Sequence, residues 1–288
     1  MRSLAGRVAL VIGASRGAGK GIAVELGAAG ATVYVTGRSR PGTPSSAGLP
    51  GTIDETAAAV TAHGGRGIAV RCDHTNDQQV EALFGEIDRN SGRLDLLVNN
   101  VWGGYEAYDG EGFTRPFWEQ PVARWERMFT SGARAHLVAS RLAAPRMIAQ
   151  GTGLIINTTF FDRGKYLGCI PYDTVKAAIN RMAYGMAIEL KPHGVAALAL
   201  SPGWMRTEGV LQYHQTDEAH WHELPELSGT ESPRYIGRAV VALATDPEVM
   251  RRSGSTLTVG ELATAYGFAD IDGRVIPPFR IPEEHARD

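Results

Sequence analysis

The sequence contains only two cysteines in 288 residues, Cys72 and Cys169, and they form no CxxC motif. Two isolated cysteines fit reduced thiols in a cytosolic protein better than a disulfide framework. No apolar stretch reaches the ~18 residues that a membrane-spanning helix needs. The first residues also have neither the apolar region nor the cleavage site of a secretory leader. We therefore expect a cytoplasmic protein that does not bind a membrane.

Excess charge is absent as well. The chain has 29 basic and 31 acidic residues, a formal net charge of -2, and no extended block of like charges. Because nucleic-acid binding needs concentrated positive charge, we expect no nucleic-acid partner. Internal repeats and low-complexity linkers are absent too, which favours one domain over residues 1–288.

Glycine, by contrast, is abundant at 35 of 288 residues, about 12% where ~7% is usual. Short apolar segments alternate with longer helical patterns, including one long helix predicted over 121–148. This alternation predicts an α/β fold: a single Rossmann-like, doubly wound parallel sheet of about seven strands with helices on both faces. Two segments that follow strands, 102–120 and 208–230, are predicted to be substrate-side loops. Residues 261–288 would form a C-terminal extension.

A glycine loop, Gly13-Ala14-Ser15-Arg16-Gly17-Ala18-Gly19, separates the first predicted strand from the first helix. Glycines at this place allow a tight turn and let a dinucleotide pyrophosphate approach the helix N-terminus. A P-loop is excluded because Ala14 takes the place of its first glycine and Gly21 that of its magnesium-binding Ser or Thr. The predicted cofactor-binding residues of the loop are Gly13, Ser15, Arg16, Gly17 and Gly19.

The end of the second predicted strand, Gly37-Arg38, indicates which dinucleotide binds. An NAD site favours Asp or Glu at this place, whereas an Arg can hold the 2′-phosphate of NADP. Arg16 would add a second positive charge. We predict that NADP(H) is preferred over NAD(H); the alternative is that both arginines are solvated surface residues.

Tyr172 and Lys176 have the i, i+4 spacing that places two side chains on one face of a helix. A tyrosine with its ordinary pKa of ~10 is a poor acid near neutrality. An ammonium ~4 Å away favours the phenolate by up to ~4 kcal/mol at an effective dielectric constant of 20. The pair therefore suits proton donation to a carbonyl oxygen that receives hydride, with Tyr172 as general acid/base and Lys176 as its activator.

Over roughly residues 5–260 the sequence resembles the short-chain dehydrogenase/reductase family. The matching motifs occur in order: Gly13/Gly17/Gly19, Cys72-Asp73, Asn99-Asn100, Tyr172/Lys176, and Ser201-Pro202-Gly203 with Thr207. Further stretches, at 31–34, 116–119, 241–247, 266–268 and 272–274, resemble one branch of that family. The resemblance implies a homotetramer or dimer formed through the helices at 124–148 and 172–190.

The resemblance also implies roles for the remaining site residues. Asp73 would contact the adenine, and Asn99 would fix the sheet edge beside the adenosine. Lys176 would bind the nicotinamide ribose, and Thr207 would reach the carboxamide. Pro202 and Gly203 would form the loop over the nicotinamide. The alternatives are that Asp73 caps the turn at Thr75, that Asn99 is structural and that Thr207 caps a loop.

Three positions depart from the family pattern. The family usually has Ser thirteen residues before the Tyr, and here that position is Thr159. Its hydroxyl can make the same hydrogen bonds, so Thr159 is predicted to be the third catalytic residue, with a plain strand residue as the alternative. Gly132 stands where the family often has an Asn that supports a proton-relay water. Residues 99–102 read Asn-Asn-Val-Trp where the family has Asn-Asn-Ala-Gly, so Trp102 places a bulky side chain near the cofactor path.

Two groups of side chains leave alternatives open. His214, His220 and His222 share one loop with acidic residues; a polar lid is favoured over zinc, and no metal is predicted. Several aromatic residues of the first loop are expected to line part of the pocket: Tyr105, Tyr108, Phe113, Phe117 and Trp118.

Together these features predict an NADP(H)-dependent oxidoreductase that moves hydride to or from a carbonyl or secondary alcohol, with a small-molecule substrate. The alternative, motivated by Thr159 and Gly132, is an NADP-binding protein with little reductase activity that acts through interactions. Reduction of an activated C=C bond is less favoured, because the Tyr-Lys spacing is that of carbonyl reductases.

Overall fold

A computed structural model describes residues 3–43, 48–103, 115–162 and 165–281 of the chain. Its centre is one sheet of seven parallel strands in the order β3-β2-β1-β4-β5-β6-β7. The strands are β1 (Val8–Ile12), β2 (Thr32–Gly37), β3 (Arg66–Arg71), β4 (Leu96–Asn99), β5 (Gly153–Thr158), β6 (Val195–Ser201) and β7 (Thr256–Thr258).

The inner strands form because their sequences are apolar without interruption. β1 reads VALVI and every residue of it is buried, as is every residue of β6. Such runs are typical of parallel strands covered on both faces. The strand order reverses between β1 and β4, and in open α/β sheets a ligand crevice lies at the carboxyl ends of the strands beside such a reversal.

Helices cover both faces of the sheet, as the doubly wound prediction requires. They are α1 (Gly17–Ala28), α2 (Ile53–Ala62), α3 (Asp77–Ser91), α4 (Val122–Phe129), α5 (Ala135–Gln150), α6 (Ile170–Leu190), α7 (Glu208–Tyr213), α8 (Pro233–Thr245) and α9 (Val259–Tyr266). One apolar core joins the sheet to α1, α2, α8 and α9. A second core joins its other face to α3, α5 and α6.

The long helix predicted over 121–148 is interrupted. A π-helical turn, Thr130–Arg134, separates α4 from α5, and Gly132 at its centre is buried. Such turns occur frequently at functional sites. Two other predicted segments contain regular structure: α7 opens the loop at 208–230, and most of α9 lies in the extension at 261–288, where Leu262 joins the core. In the described residues, no helix combines the length and apolarity needed to cross a bilayer.

Candidate active site

A cleft of about 630 Å³ opens at the carboxyl ends of the strands and brings most predicted site residues together. The predicted residues that line it are Gly13, Ser15, Arg16, Gly17, Arg38, Asp73, Thr159, Tyr172, Lys176, Pro202, Gly203 and Thr207. The other two, Gly19 and Asn99, are buried. The cleft therefore brings together residues that the sequence predicted from separate motifs, the glycine loop, the Tyr-Lys pair and the segment after β6.

The glycine loop passes between other backbone segments too closely for side chains. Gly13 has a positive φ of 73°, and a Cβ there would lie 2.6 Å from Val101 Cα. A Cβ on Gly19 would lie 2.2 Å from the Gly13 carbonyl oxygen. Gly19 does not line the cleft, but the absence of a side chain there lets the loop pack this closely behind it. At the start of α1 the backbone N–H of Gly17 donates to Glu208 Oε2 at 2.8 Å.

The predicted 2′-phosphate end of the cleft contains two arginines and a serine. Arg38 is exposed and lines the cleft beside Ser39. The Arg16 guanidinium already makes three hydrogen bonds within the protein. It donates to Ser39 Oγ, the Pro50 carbonyl and the Gly51 carbonyl at 2.8–2.9 Å. Burial lowers the pKa of Arg16 from its usual value. Ser39, which the sequence did not indicate, also lines this end of the cleft and accepts the hydrogen bond from Arg16.

Asp73 lines the cleft and also caps a turn, as its alternative interpretation held. Its Oδ1 accepts from Thr75 Oγ1 at 2.7 Å and from Thr75 N at 3.0 Å. Burial acts to raise the pKa of this carboxyl, but these hydrogen bonds outweigh it and the pKa lies below its usual value. His74, another lining residue not found from the sequence, bonds Thr36 Oγ1 at 2.8 Å. Burial lowers its pKa to about 4, so this ring is neutral near pH 7.

Asn99 lies behind the cleft. Its Nδ2 donates to Ser140 Oγ and to Asn157 Oδ1, both at 2.9 Å, and thereby links β4 to α5 and β5. The next residue, Asn100, lines the cleft and donates to the Gly13 carbonyl at 2.9 Å. The position of Asn99 thus agrees with its structural alternative.

The first turns of α6 carry Tyr172 and Lys176 on one face, as their spacing predicts. Lys176 Nζ lies 5.4 Å from the centroid of the Tyr172 ring and 3.9 Å from that of Trp102. Withdrawal from water lowers the pKa of Lys176 to about 7. The ring of Trp102 meets that of Tyr172 edge to face at 5.5 Å.

Thr159 reaches the cleft directly after β5 and is almost fully buried, with 4% of its surface exposed. Its Oγ1 donates to the Lys176 carbonyl at 3.3 Å, a long hydrogen bond. Thr158, one residue earlier, also lines the cleft. Two threonines therefore line the same cleft as Tyr172 and Lys176.

The predicted nicotinamide end is formed by the segment after β6. Thr207 Oγ1 accepts from Val210 N at 3.4 Å and so caps α7 while it lines the cleft. Behind Gly203, a Cβ would lie 2.7 Å from Glu231 Oε2. Glu231 is buried, and burial raises its pKa to about 8 although the Gly203 backbone N–H bonds it.

The C-terminal extension returns to the neighbourhood of Tyr172. Phe279 packs edge to face on Phe160 at 6.0 Å, and Phe160 lies 6.0 Å from Tyr172. Asp162, which is buried, accepts from Ile281 N at 2.6 Å and so fastens the end of this segment. Nothing local in the sequence indicates the contacts of Phe279 with Phe160 and of Ile281 with Asp162, because they join segments more than a hundred residues apart.

The remaining expectations concern the two loops. Tyr105, Tyr108 and Phe113 lie outside the described residues, whereas Phe117 and Trp118 are 59% and 72% exposed and do not line the cleft. Among the described residues no group of three or more His, Cys, Asp or Glu could hold a metal ion. Within the loop, His220 Nδ1 bonds Asp217 Oδ1 at 2.7 Å.

Comparison with known proteins shows the family of this chain. The family model "short chain dehydrogenase" matches residues 7–218. The chain belongs to the short-chain dehydrogenase/reductase family. Dehydrogenase/reductase SDR family member 1 of Mus musculus is 38% identical over 280 residues, covering 95% of this chain and 86% of the mouse protein. The protein of the same name from Homo sapiens is 36% identical over 282 residues. The predicted branch is confirmed.

Solved structures show the same fold. A putative dehydrogenase from Xanthomonas campestris superposes with a TM-score of 0.78 at 26% identity, covering 97% of this chain and 98% of that one. A metagenomic short-chain oxidoreductase in complex with NADP gives a TM-score of 0.68 at 26% identity over 89% and 97% of the two chains. A 7α-hydroxysteroid dehydrogenase with NADH and an oxo bile acid gives 0.72 at 25% identity over 88% and 93%. The chain is therefore an oxidoreductase of a fold that binds nicotinamide cofactors.

Proposed function

We propose that this chain is an NADP(H)-dependent oxidoreductase that interconverts a carbonyl and a secondary alcohol, with Tyr172 as general acid/base. The observation that supports it most is the one cleft that contains the glycine loop, Arg38 and the Tyr172–Lys176 pair. The glycine loop fits a dinucleotide turn because Gly13 has a positive φ, and because a Cβ on Gly13 or Gly19 would collide with the neighbouring backbone and prevent the tight turn. One solved relative holds NADP and another holds NADH, so the fold alone does not determine which cofactor binds. The preference for NADP(H) is supported by Arg38, which directly follows β2.

The proposed mechanism assigns a task to each residue. Gly17 N–H and the N-terminus of α1 would hold the pyrophosphate. When bound, the nicotinamide supplies or accepts hydride. Tyr172 donates its phenolic proton to the carbonyl oxygen during reduction, and Lys176 stabilises the phenolate that remains. Thr159 would hydrogen-bond the same substrate oxygen after its hydroxyl turns away from the Lys176 carbonyl.

The decisive experiment compares the wild type with Tyr172→Phe. NADPH consumption is followed over a panel of ketones and aldehydes, and NADPH binding is measured separately by its fluorescence. We expect the variant to bind NADPH normally and to lose at least 100-fold in kcat, since general acid catalysis contributes about 10²–10⁴-fold. Full turnover by the variant would refute the assignment. Binding without consumption by the wild type would favour the interaction-protein alternative.

The homo-oligomer and the cytoplasmic location also remain proposals. Exposed apolar residues on the expected helices support self-association: Trp125 on α4, Leu137 and Ile148 on α5, and Tyr184 and Ile188 on α6. Light scattering of the wild type and of Leu137→Lys would test this, with a dimer or tetramer expected for the wild type and a smaller species for the variant.

A further inference from the structure

Lys176 meets an aromatic ring in the cleft. Its Nζ lies 3.9 Å from the centroid of Trp102, well inside the ~6 Å range of a cation–π contact. Among the residues that the structure describes, no carboxylate forms a salt bridge with Lys176. Two rings face the ammonium, and the Trp102 indole is nearer than the Tyr172 ring, whose centroid lies 5.4 Å from Nζ. The indole is therefore the nearer of the two rings that favour the charged form of this lysine.

The indole is held in place from three sides. Its edge lies close to Gly132, where a Cβ would be 3.2 Å from Trp102 Cζ3 and 3.3 Å from Val175 Cγ2. Tyr172 packs on the ring edge to face. Trp102 and Tyr172 both pack against the small buried cluster of Met128, Val175 and Ile179. A Cβ at residue 132 would require the indole and Val175 to give way slightly, so Gly132 lets the indole pack closely against this turn.

We propose that Trp102 is a positioning residue of the catalytic pair: its indole, seated on Gly132, holds the Lys176 ammonium beside Tyr172. The inference rests on the proposed function and adds a residue to it. It accounts together for the tryptophan near the cofactor path and for the glycine in the π-helical turn.

Lys176 is the group beside the Trp102 ring whose charge changes near neutral pH. His136 on α5 bonds the Val101 carbonyl at 3.2 Å, and burial together with the Lys176 charge holds its pKa at about 3. It is therefore neutral near pH 7. Tyr172, on the same helix as Lys176, is a titratable group that packs against the indole. Since a cation–π contact forms only with the ammonium, the ring opposes the desolvation that lowers the pKa of Lys176 to about 7.

The first test uses the chain without cofactor. Tryptophan emission is recorded from pH 5.5 to 8.5 for the wild type, Trp102→Phe and Lys176→Met. The other tryptophans, among them Trp204 and Trp221 beside histidines, cancel when the Trp102→Phe curve is subtracted. We expect the emission difference between the wild type and Trp102→Phe to change with pH, with a midpoint near 7. The same difference for Lys176→Met should not change with pH. A difference that is flat across this range would overturn the contact.

The second test is kinetic. We expect Trp102→Leu to lower kcat about tenfold, within the range of a desolvated cation–π contact, and to move the pH profile of kcat/KM toward lower pH. Trp102→Phe should retain most of kcat. Trp118, which packs edge to face on Phe117, is 72% exposed and does not line the cleft, provides the matched control: Trp118→Leu should leave kcat and the profile unchanged.

A double-variant comparison distinguishes an effect of Gly132 that acts through the Trp102 ring from an effect on the helical turn itself. Gly132→Ala should lower kcat in the wild type but have little further effect in Trp102→Leu, because no indole remains to be displaced. Additive losses, or an unchanged kcat and pH profile in Trp102→Leu, would overturn the proposal. If the wild type consumed no NADPH, the proposed function would fail, whereas the emission titration of wild type against Lys176→Met would still decide the contact.

Discussion

Glu208 Oε2 accepts a hydrogen bond of 2.8 Å from the backbone N–H of Gly17, the first residue of α1. Helix N-termini attract anions because their N–H groups and dipole point outward. The carboxylate comes from the segment after β6 and lies where the glycine loop is predicted to bind the pyrophosphate. Glu208 and the cofactor would therefore compete for the same N–H group.

Glu208→Gln should tighten NADPH binding, on the order of fivefold, since a charge near a helix N-terminus contributes about 0.3–1 kcal/mol. The glutamine keeps the shape of the side chain but removes the competing negative charge. The dissociation constant can be measured from NADPH fluorescence. Glu226→Gln, at an exposed carboxylate of the same loop, is the control and should change nothing. Weaker binding by Glu208→Gln would show that the carboxylate assists the cofactor.

Arg38 should decide between the two dinucleotides. A hydrogen bond to a charged group contributes about 1.5–3 kcal/mol, so Arg38→Ala should lower kcat/KM for NADPH roughly ten- to a hundredfold and leave that for NADH almost unchanged. Arg40 is the matched control, because it is exposed, pairs with Asp54 at 2.9 Å and does not line the cleft. If Arg40→Ala lost as much as Arg38→Ala, general surface charge would be the cause and the specific role would be wrong.

Thr158, the last residue of β5, and Thr159, directly after it, allow the proposed catalytic hydroxyl to be compared with a neighbouring one. Loss of one donor at a developing oxyanion costs about 10²–10³ in kcat, and we expect Thr159→Val to lose on the order of a hundredfold. Thr158→Val should lose far less. Both replacements keep the side-chain shape, and circular dichroism would verify the fold. The reverse ranking would move the role to Thr158.

Much of the fold could be predicted from the sequence because its determinants are local. Apolar runs such as β1 mark buried strands, and glycines directly after a strand mark a dinucleotide turn. The i, i+4 spacing placed Tyr172 and Lys176 correctly on one face of α6. Each of these features depends on neighbours within a few residues.

What could not be predicted depends on contacts between distant segments. Glu208 is 191 residues from its partner Gly17, and Asp162 is 119 residues from Ile281. The π-helical turn around Gly132 has no sequence pattern of its own and is packed against Trp102, thirty residues earlier. The expected pocket residue Trp118 proved exposed because its neighbours in space, not its aromatic character, determine burial.

Glu231 should make stability depend on pH. Burial, with the nearby Asp270 charge, raises its pKa from 4.5 to about 8, against the opposing effects of Gly203 N–H and Arg206. The folded chain therefore keeps a proton that the unfolded chain has lost above pH 4.5. Consequently the free energy of unfolding that this group contributes falls as pH rises from 4.5 to 8, and it stays low above that.

Glu231→Gln should remove this dependence while its carbonyl still accepts from Gly203 N–H. Each pKa unit corresponds to about 1.4 kcal/mol, so between pH 6 and 8 the wild type should lose roughly 2 kcal/mol relative to the variant. Urea unfolding at the two pH values measures the difference. Glu248→Gln is the control, because Glu248 is 58% exposed in its pair with Arg251 and surface pairs contribute little. Parallel curves for wild type and Glu231→Gln would mean that Glu231 is ionised in the folded protein, and that Arg206 outweighs the burial.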